Sequence, residues 1–194
     1  MKPLARDDLM SLEVYSARRV EFRREVMAHK AARIVSIGPN MRLFFEDRLT
    51  IQYQVQEMLR TERIFEATGI QEELDAYNPL VPDGANWKAT QMIEFTDENE
   101  RRNMLTRLVG VENRTWVQVT DHDRVYAIAD EDLERDTDEK TSAVHFLRFE
   151  LDPAMIADLK KGASLSMGVD HGNYRHEAAP VPDTVRHALI RDLD

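Results

Sequence analysis

The chain has 194 residues, no cysteine, and a formal net charge of −10 from 36 acidic and 26 basic side chains. That length supports a single domain, 1–194, with a sizeable core. The missing cysteines exclude disulfides, Fe–S ligation, thiolate catalysis and cysteine-type zinc sites, and the negative balance disfavours nucleic acid as a general partner.

In chain order, residues 7–32 read as a helix that opens on Asp7 and Asp8 and carries Leu9, Leu12, Tyr15, Val20, Phe22, Val26 and Met27. Residues 1–33 hold eight Lys/Arg against five Asp/Glu, so this segment is basic in an acidic chain and is a candidate docking arm. Strands at 34–37 and 41–46 flank Gly38-Pro39-Asn40, a turn signal, and form a hairpin. Thr50 is placed to cap a helix over 51–64, with Ile51, Val55, Met58 and Leu59 as its apolar stripe. A short helix over 69–77 stops at Asn78-Pro79, because the residue before proline avoids helical angles. A strand over 88–95 and a helix over 97–109, ended by Gly110, come next.

Runs 116–119 and 124–129 alternate around a polar tip and read as another hairpin. Residues 130–140 hold seven acids, which predicts an exposed loop. A strand over 142–151 precedes a helix over 153–161 with Pro153 in its first turn. The strand from Ser164 enters a hairpin through Gly172-Asn173, with Gly172 expected to supply the positive φ. A last helix covers about 183–193. Together these elements predict an α+β fold, a mainly antiparallel sheet of hairpins with helices inserted and packed on its face.

The final hairpin is the richest stretch in chemistry. Its expected register pairs His171 with Tyr174, Asp170 with Arg175, and Val169 with His176. His171, Tyr174 and His176 then share one face. Two imidazoles on one hairpin face are candidate metal ligands or an acid/base pair. Without cysteine, any metal would take His and carboxylate ligands, which suit Zn, Fe or Mn. The alternative is a solvent-facing edge hairpin whose polar groups discourage strand pairing.

On the helix over 51–64, Tyr53, Glu57 and Arg60 share a face, and Gln56 lies on an adjoining one. This is either a solvated surface or the wall of a polar pocket, in which Arg60 would grip an anion and Glu57 would orient it or act as a base. Glu46 and Glu94 sit in strands beside large apolar residues and are expected on a solvent face. His145, in a strong strand, reads as a satisfied core or sheet-face histidine, whereas His29 and His187 read as surface groups. The chain has no GxGxxG or Walker A loop, no GxSxG elbow and no HExxH pair, so nucleotide-binding, serine-hydrolase and zincin chemistry lack support. No stretch of ~18 apolar residues predicts a membrane span, and the first residues show no secretory pattern, so a cytoplasmic location is expected.

Three runs carry a resemblance. They are Phe44–Arg48 continuing into Tyr53-Gln54-Val55-Gln56-Glu57-Met58-Leu59-Arg60-Thr61-Glu62-Arg63-Ile64; Glu72–Pro82; and Val144–Phe149 followed by Asp170-His171 and Tyr174. In this order they resemble the bacterial DUF3501 family over nearly the whole chain. That family has no assigned activity. The resemblance implies a neighbourhood of rubrerythrin-like and Fe–S oxidoreductase-like proteins, and with it a redox or peroxide-stress context.

Two functional expectations follow. In one, His171, Tyr174 and His176 of the hairpin join Glu57 and Arg60, with Gln56 and Tyr53, in a ligand or divalent-metal site; His171, His176 and Glu57 would be the metal ligands. In the other, the chain is a non-enzymatic partner of a rubrerythrin-like or Fe–S oxidoreductase-like system. A homodimer is the default oligomer.

Overall fold

A computed structural model describes residues 2–131, 135, 137 and 139–194. The strands among them are β1 (Ile34–Ile37), β2 (Met41–Glu46), β3 (Asn86–Ile93), β4 (Thr115–Val119), β5 (Val125–Tyr126), β6 (Ile128–Ala129), β7 (Val144–Glu150), β8 (Leu165–His171) and β9 (Tyr174–Ala178). The helices are α1 (Leu12–Ala31), α2 (Arg48–Glu62), α3 (Ala67–Tyr77), α4 (Glu98–Arg107), α5 (Pro153–Lys160) and α6 (Asp183–Ile190). The fold is α+β.

The strands make two antiparallel sheets where the sequence reading had one. The order is β1-β2-β3-β7-β6 in the first and β5-β4-β8-β9 in the second. Alternation decides which side of each strand is dry. In β2, Met41, Leu43 and Phe45 are buried, and Arg42, Phe44 and Glu46 point the other way. The dry faces of both sheets meet in one core. Leu43, Phe45, Trp87 and Phe149 from the first sheet join Val117, Leu165, Met167 and Val169 from the second. The Phe45 ring lies 6.1 Å from Trp87, edge-on, and 6.3 Å from Phe149. Helices α5 and α6 close this core with Ile156, Leu159, Val185 and Leu189, and the Trp87 indole donates to the Leu189 carbonyl at 3.0 Å.

Several boundaries differ from the sequence reading for identifiable reasons. The first helix begins at Leu12. A 3₁₀ turn, Arg6–Asp8, precedes it, and the Ser11 hydroxyl caps it by accepting from the Val14 amide. Only Tyr15, Phe22 and Val26 of α1 are buried, and Val20 is 83% exposed. Helix α2 begins before Thr50, with Asp47 as its cap; the Asp47 carboxylate accepts from the Thr50 amide, and the Thr50 hydroxyl accepts from the Asp47 amide, both at 2.9 Å. The expected strand over 124–129 is split at Ala127. Val125–Tyr126 pairs with β4, and Ile128–Ala129 crosses to β7 in the other sheet.

Of the acidic segment, residues 132–134, 136 and 138 lie outside the described residues. Its start is anchored: Asp130 faces His145 Nδ1 at 2.6 Å and accepts from the Phe146 amide at 3.0 Å. His145 is fully buried, in keeping with its reading as a core histidine.

A cavity between the helical layer and the first sheet

The final hairpin has the expected register: Val169 opposes His176, Asp170 opposes Arg175, and His171 opposes Tyr174. Gly172, however, does not take a positive φ. The turn is held by side chains instead. His171 Nδ1 accepts from the Asn173 amide at 3.2 Å, and the Asn173 side chain donates to the Arg107 carbonyl at 2.7 Å.

Its chemically active side chains find separate partners. His171 Nε2 lies 3.2 Å from the Val109 carbonyl. The Tyr174 hydroxyl donates to the Ile37 carbonyl at 2.7 Å and accepts from the Asn40 amide at 3.0 Å. The His176 ring packs 4.6 Å from that of Tyr174, over Gly38. Gly38 is required there, because it has φ +67° and a Cβ would fall 2.5 Å from the His176 ring.

The helix residues turn toward the N-terminal segment. Glu57 receives two hydrogen bonds from Arg19, each 2.7 Å, and a third from the Tyr15 hydroxyl. Arg19 holds the Glu57 carboxyl below its ordinary pKa, and burial beside Glu57 pushes the Tyr15 phenol up. Gln56 is fully buried and clamps Met10, accepting from its amide at 2.6 Å and donating to its carbonyl at 3.3 Å. Tyr53 packs 6.1 Å from Phe22, and Arg60 is exposed. The expected set of His171, His176 and Glu57 is therefore not assembled: each group is tied to a different element. Among the described residues no cluster of three His, Asp or Glu has metal-holding geometry.

A different place has the features of a binding site. Helices α2 and α3 stand over the outward face of the first sheet and leave a cavity of about 410 Å³. Its helical wall is Met58, Ala76, Tyr77, Pro79 and Leu80; its sheet wall is Phe146, with Lys88 and Arg148 beside it. Glu73, Glu131 and Leu147 complete the lining. A space of this size walled by apolar groups with few charges is the usual form of a small-molecule site. A larger space of about 560 Å³ lies beside residues 6–12, but its charged residues, Arg6 and Asp7, are exposed and solvated.

The charges in the smaller cavity are unequal. Arg148 is saturated, since Nε and Nη2 each donate to Glu131 at 2.7 Å and Nη1 reaches Glu150. That bidentate bond holds the Glu131 carboxyl below its ordinary pKa. Lys88 lies between Glu46 and Arg148 in register. The Glu46 carboxylate is taken by the hydroxyls of Thr50 and Thr90, at 2.6 and 2.9 Å. The Lys88 ammonium makes no hydrogen bond or ion pair with any described residue, although the carboxylates of Glu131, Asp83 and Glu150 act on it through space. Burial, and then the neighbouring Arg148, lower its pKa. On the helical wall, burial, with Glu62 and Glu72 nearby, raises that of Glu73.

Sequence reasoning missed Lys88 and Glu73 as site residues. Lys88 lies outside the family-like runs, but much of the rest of the lining falls within them. Met58 belongs to the first, Glu73, Ala76, Tyr77, Pro79 and Leu80 to the second, and Phe146, Leu147 and Arg148 to the third.

Comparison with known proteins agrees with those runs. The model of DUF3501, a protein family of unknown function, matches residues 3–193. The chain is similar to a protein of unknown function from Burkholderia pseudomallei K96243, solved by crystallography, with 57% identity, full coverage of both chains and a TM-score of 0.94. No curated protein matches. Among the described residues, no helix is long and apolar enough to cross a membrane. The chain belongs to the DUF3501 family.

Proposed function

We propose that this member of the DUF3501 family binds a small, largely apolar molecule between α2, α3 and the outward face of the first sheet. The observation that carries the reading is the cavity itself: about 410 Å³, walled by Met58, Tyr77, Leu80 and Phe146, and bordered by a half-buried lysine without a partner among the described residues. At ~30 Å³ per water, it has room for roughly a dozen waters. Releasing them from apolar walls favours an apolar guest. Aminoanthracene, a neutral fluorescent probe, is expected to bind wild type and to be expelled by Ala76→Trp, which fills the space. Equal probe binding by both proteins would remove the reading.

A second reading, docking onto a rubrerythrin-like or Fe–S oxidoreductase-like partner, is supported by the outward face of α1. Val20, Arg23, Arg24 and Met27 fall on one side of that helix and are exposed. A large exposed apolar group between arginines is unusual for a face that meets only water. Co-purification with such a partner should be lost in Val20→Asp; its persistence would count against this surface.

A further inference from the structure

We infer that the guest of this cavity is a monocarboxylate on an apolar body, with the carboxylate held by Lys88. The inference rests on the cavity being a binding site and names what that site takes. An ammonium withdrawn from water is stable when an anion or several acceptors replace its hydration. Among the described residues none bonds the Lys88 ammonium: Glu131, Asp83 and Glu150 act on it only through space, and Glu131 and Glu150 are already bonded to Arg148. The cross-strand neighbour of Lys88, Glu46, is occupied by two threonine hydroxyls, and Arg148, on the other side, is occupied by Glu131 and Glu150.

The chemistry of the walls narrows the class. One available cation suits one negative charge. A phosphate dianion is ordinarily met by several donors or a free arginine fork, and here the only fork in the lining is already filled. An amine would be repelled by Lys88. Glu73 lies on the opposite wall and is not among the charges that act on Lys88; those that do favour its charge, Glu131, Asp83 and Glu150, are outweighed by burial and Arg148. Burial already lowers the pKa of Lys88, and a bound carboxylate would reverse that shift.

The test compares decanoate, phenylbutyrate, decanol and decylamine by titration calorimetry on the full chain, with Lys88→Met and Ala76→Trp. Methionine retains an apolar stem and removes a buried charge, so folding is expected to survive. The expected result is binding of one or both carboxylates by wild type, weakened about tenfold or more by Lys88→Met. Decanol binding should change little. Decanol and the carboxylates binding equally, both insensitive to Lys88→Met but abolished by Ala76→Trp, would overturn the carboxylate inference and leave the apolar site standing. Decylamine binding more tightly than decanoate would also overturn it and point to Glu73. No binding of any probe would remove both readings.

Discussion

Asp192→Asn should change how the stability of this protein depends on pH. Asp192 and Arg33 are 3% and 2% exposed and form an ion pair that ties the C-terminal end to β1 and β2. Arg33 also donates to the carbonyls of Phe45, Ala188 and Glu46, at 3.0, 3.2 and 3.2 Å, so its donors are engaged on all sides. Burial pushes the Asp192 pKa from 3.8 to about 6, against the pull of Arg33; nearby Asp47 adds to the rise. Desolvation thus outweighs the pair's attraction, as buried ion pairs often show. The folded protein binds more protons at this site than the unfolded chain between those two values. Its stabilising contribution is therefore complete below 3.8 and is lost as pH rises through about 6. At 1.36 kcal/mol per pKa unit, the full swing is about 3 kcal/mol, of which about 2 falls between about pH 4.5 and about pH 7.5. Urea unfolding of wild type and Asp192→Asn at those two pH values isolates this group, because the other titrations cancel in the difference. Wild type should gain about 2 kcal/mol over the variant on going to the lower pH. A difference that stays constant, or that grows toward neutral pH, would refute the argument that burial dominates here.

Three further outcomes follow from the site geometry. Gln56→Ala strips two hydrogen bonds from the half-buried backbone of Met10 and should cost about 2 kcal/mol in urea unfolding; a loss under about 0.5 kcal/mol would show that the clamp contributes little. Gly38→Ala should cost about 1–3 kcal/mol, from a positive φ and a clash with the His176 ring. Part of that cost should be recovered in a His176→Ala background, and strict additivity of the two changes would argue against the contact. Metal content measured by mass spectrometry on untagged protein should be the same in wild type and His171→Ala, because His171, His176 and Glu57 have separate partners. Stoichiometric metal lost in the variant would show that the three meet in solution.

What could be read from the sequence divides along a physical line. The register of the last hairpin was legible because a two-residue turn leaves only one pairing, even though Gly172 does not adopt the expected φ. The dry faces of the strands were legible because side chains alternate with a period of two. What a face meets was not. Lys88, Phe146 and Arg148 lie on the same side of the first sheet as Glu46, which was expected on a solvent face. Helices α2 and α3 stand over that side, so Lys88 sits half-buried at an apolar cavity. The same gap explains the other misplacement. Spacing correctly put Tyr53, Gln56, Glu57 and Arg60 on neighbouring faces of one helix, but spacing carries no information about which element docks there. The N-terminal segment does, and it engages three of the four through Met10, Tyr15, Arg19 and Phe22. The polar pocket sought on that side of α2 is filled by the chain itself, and the side that carries Met58 is the one left open to a guest.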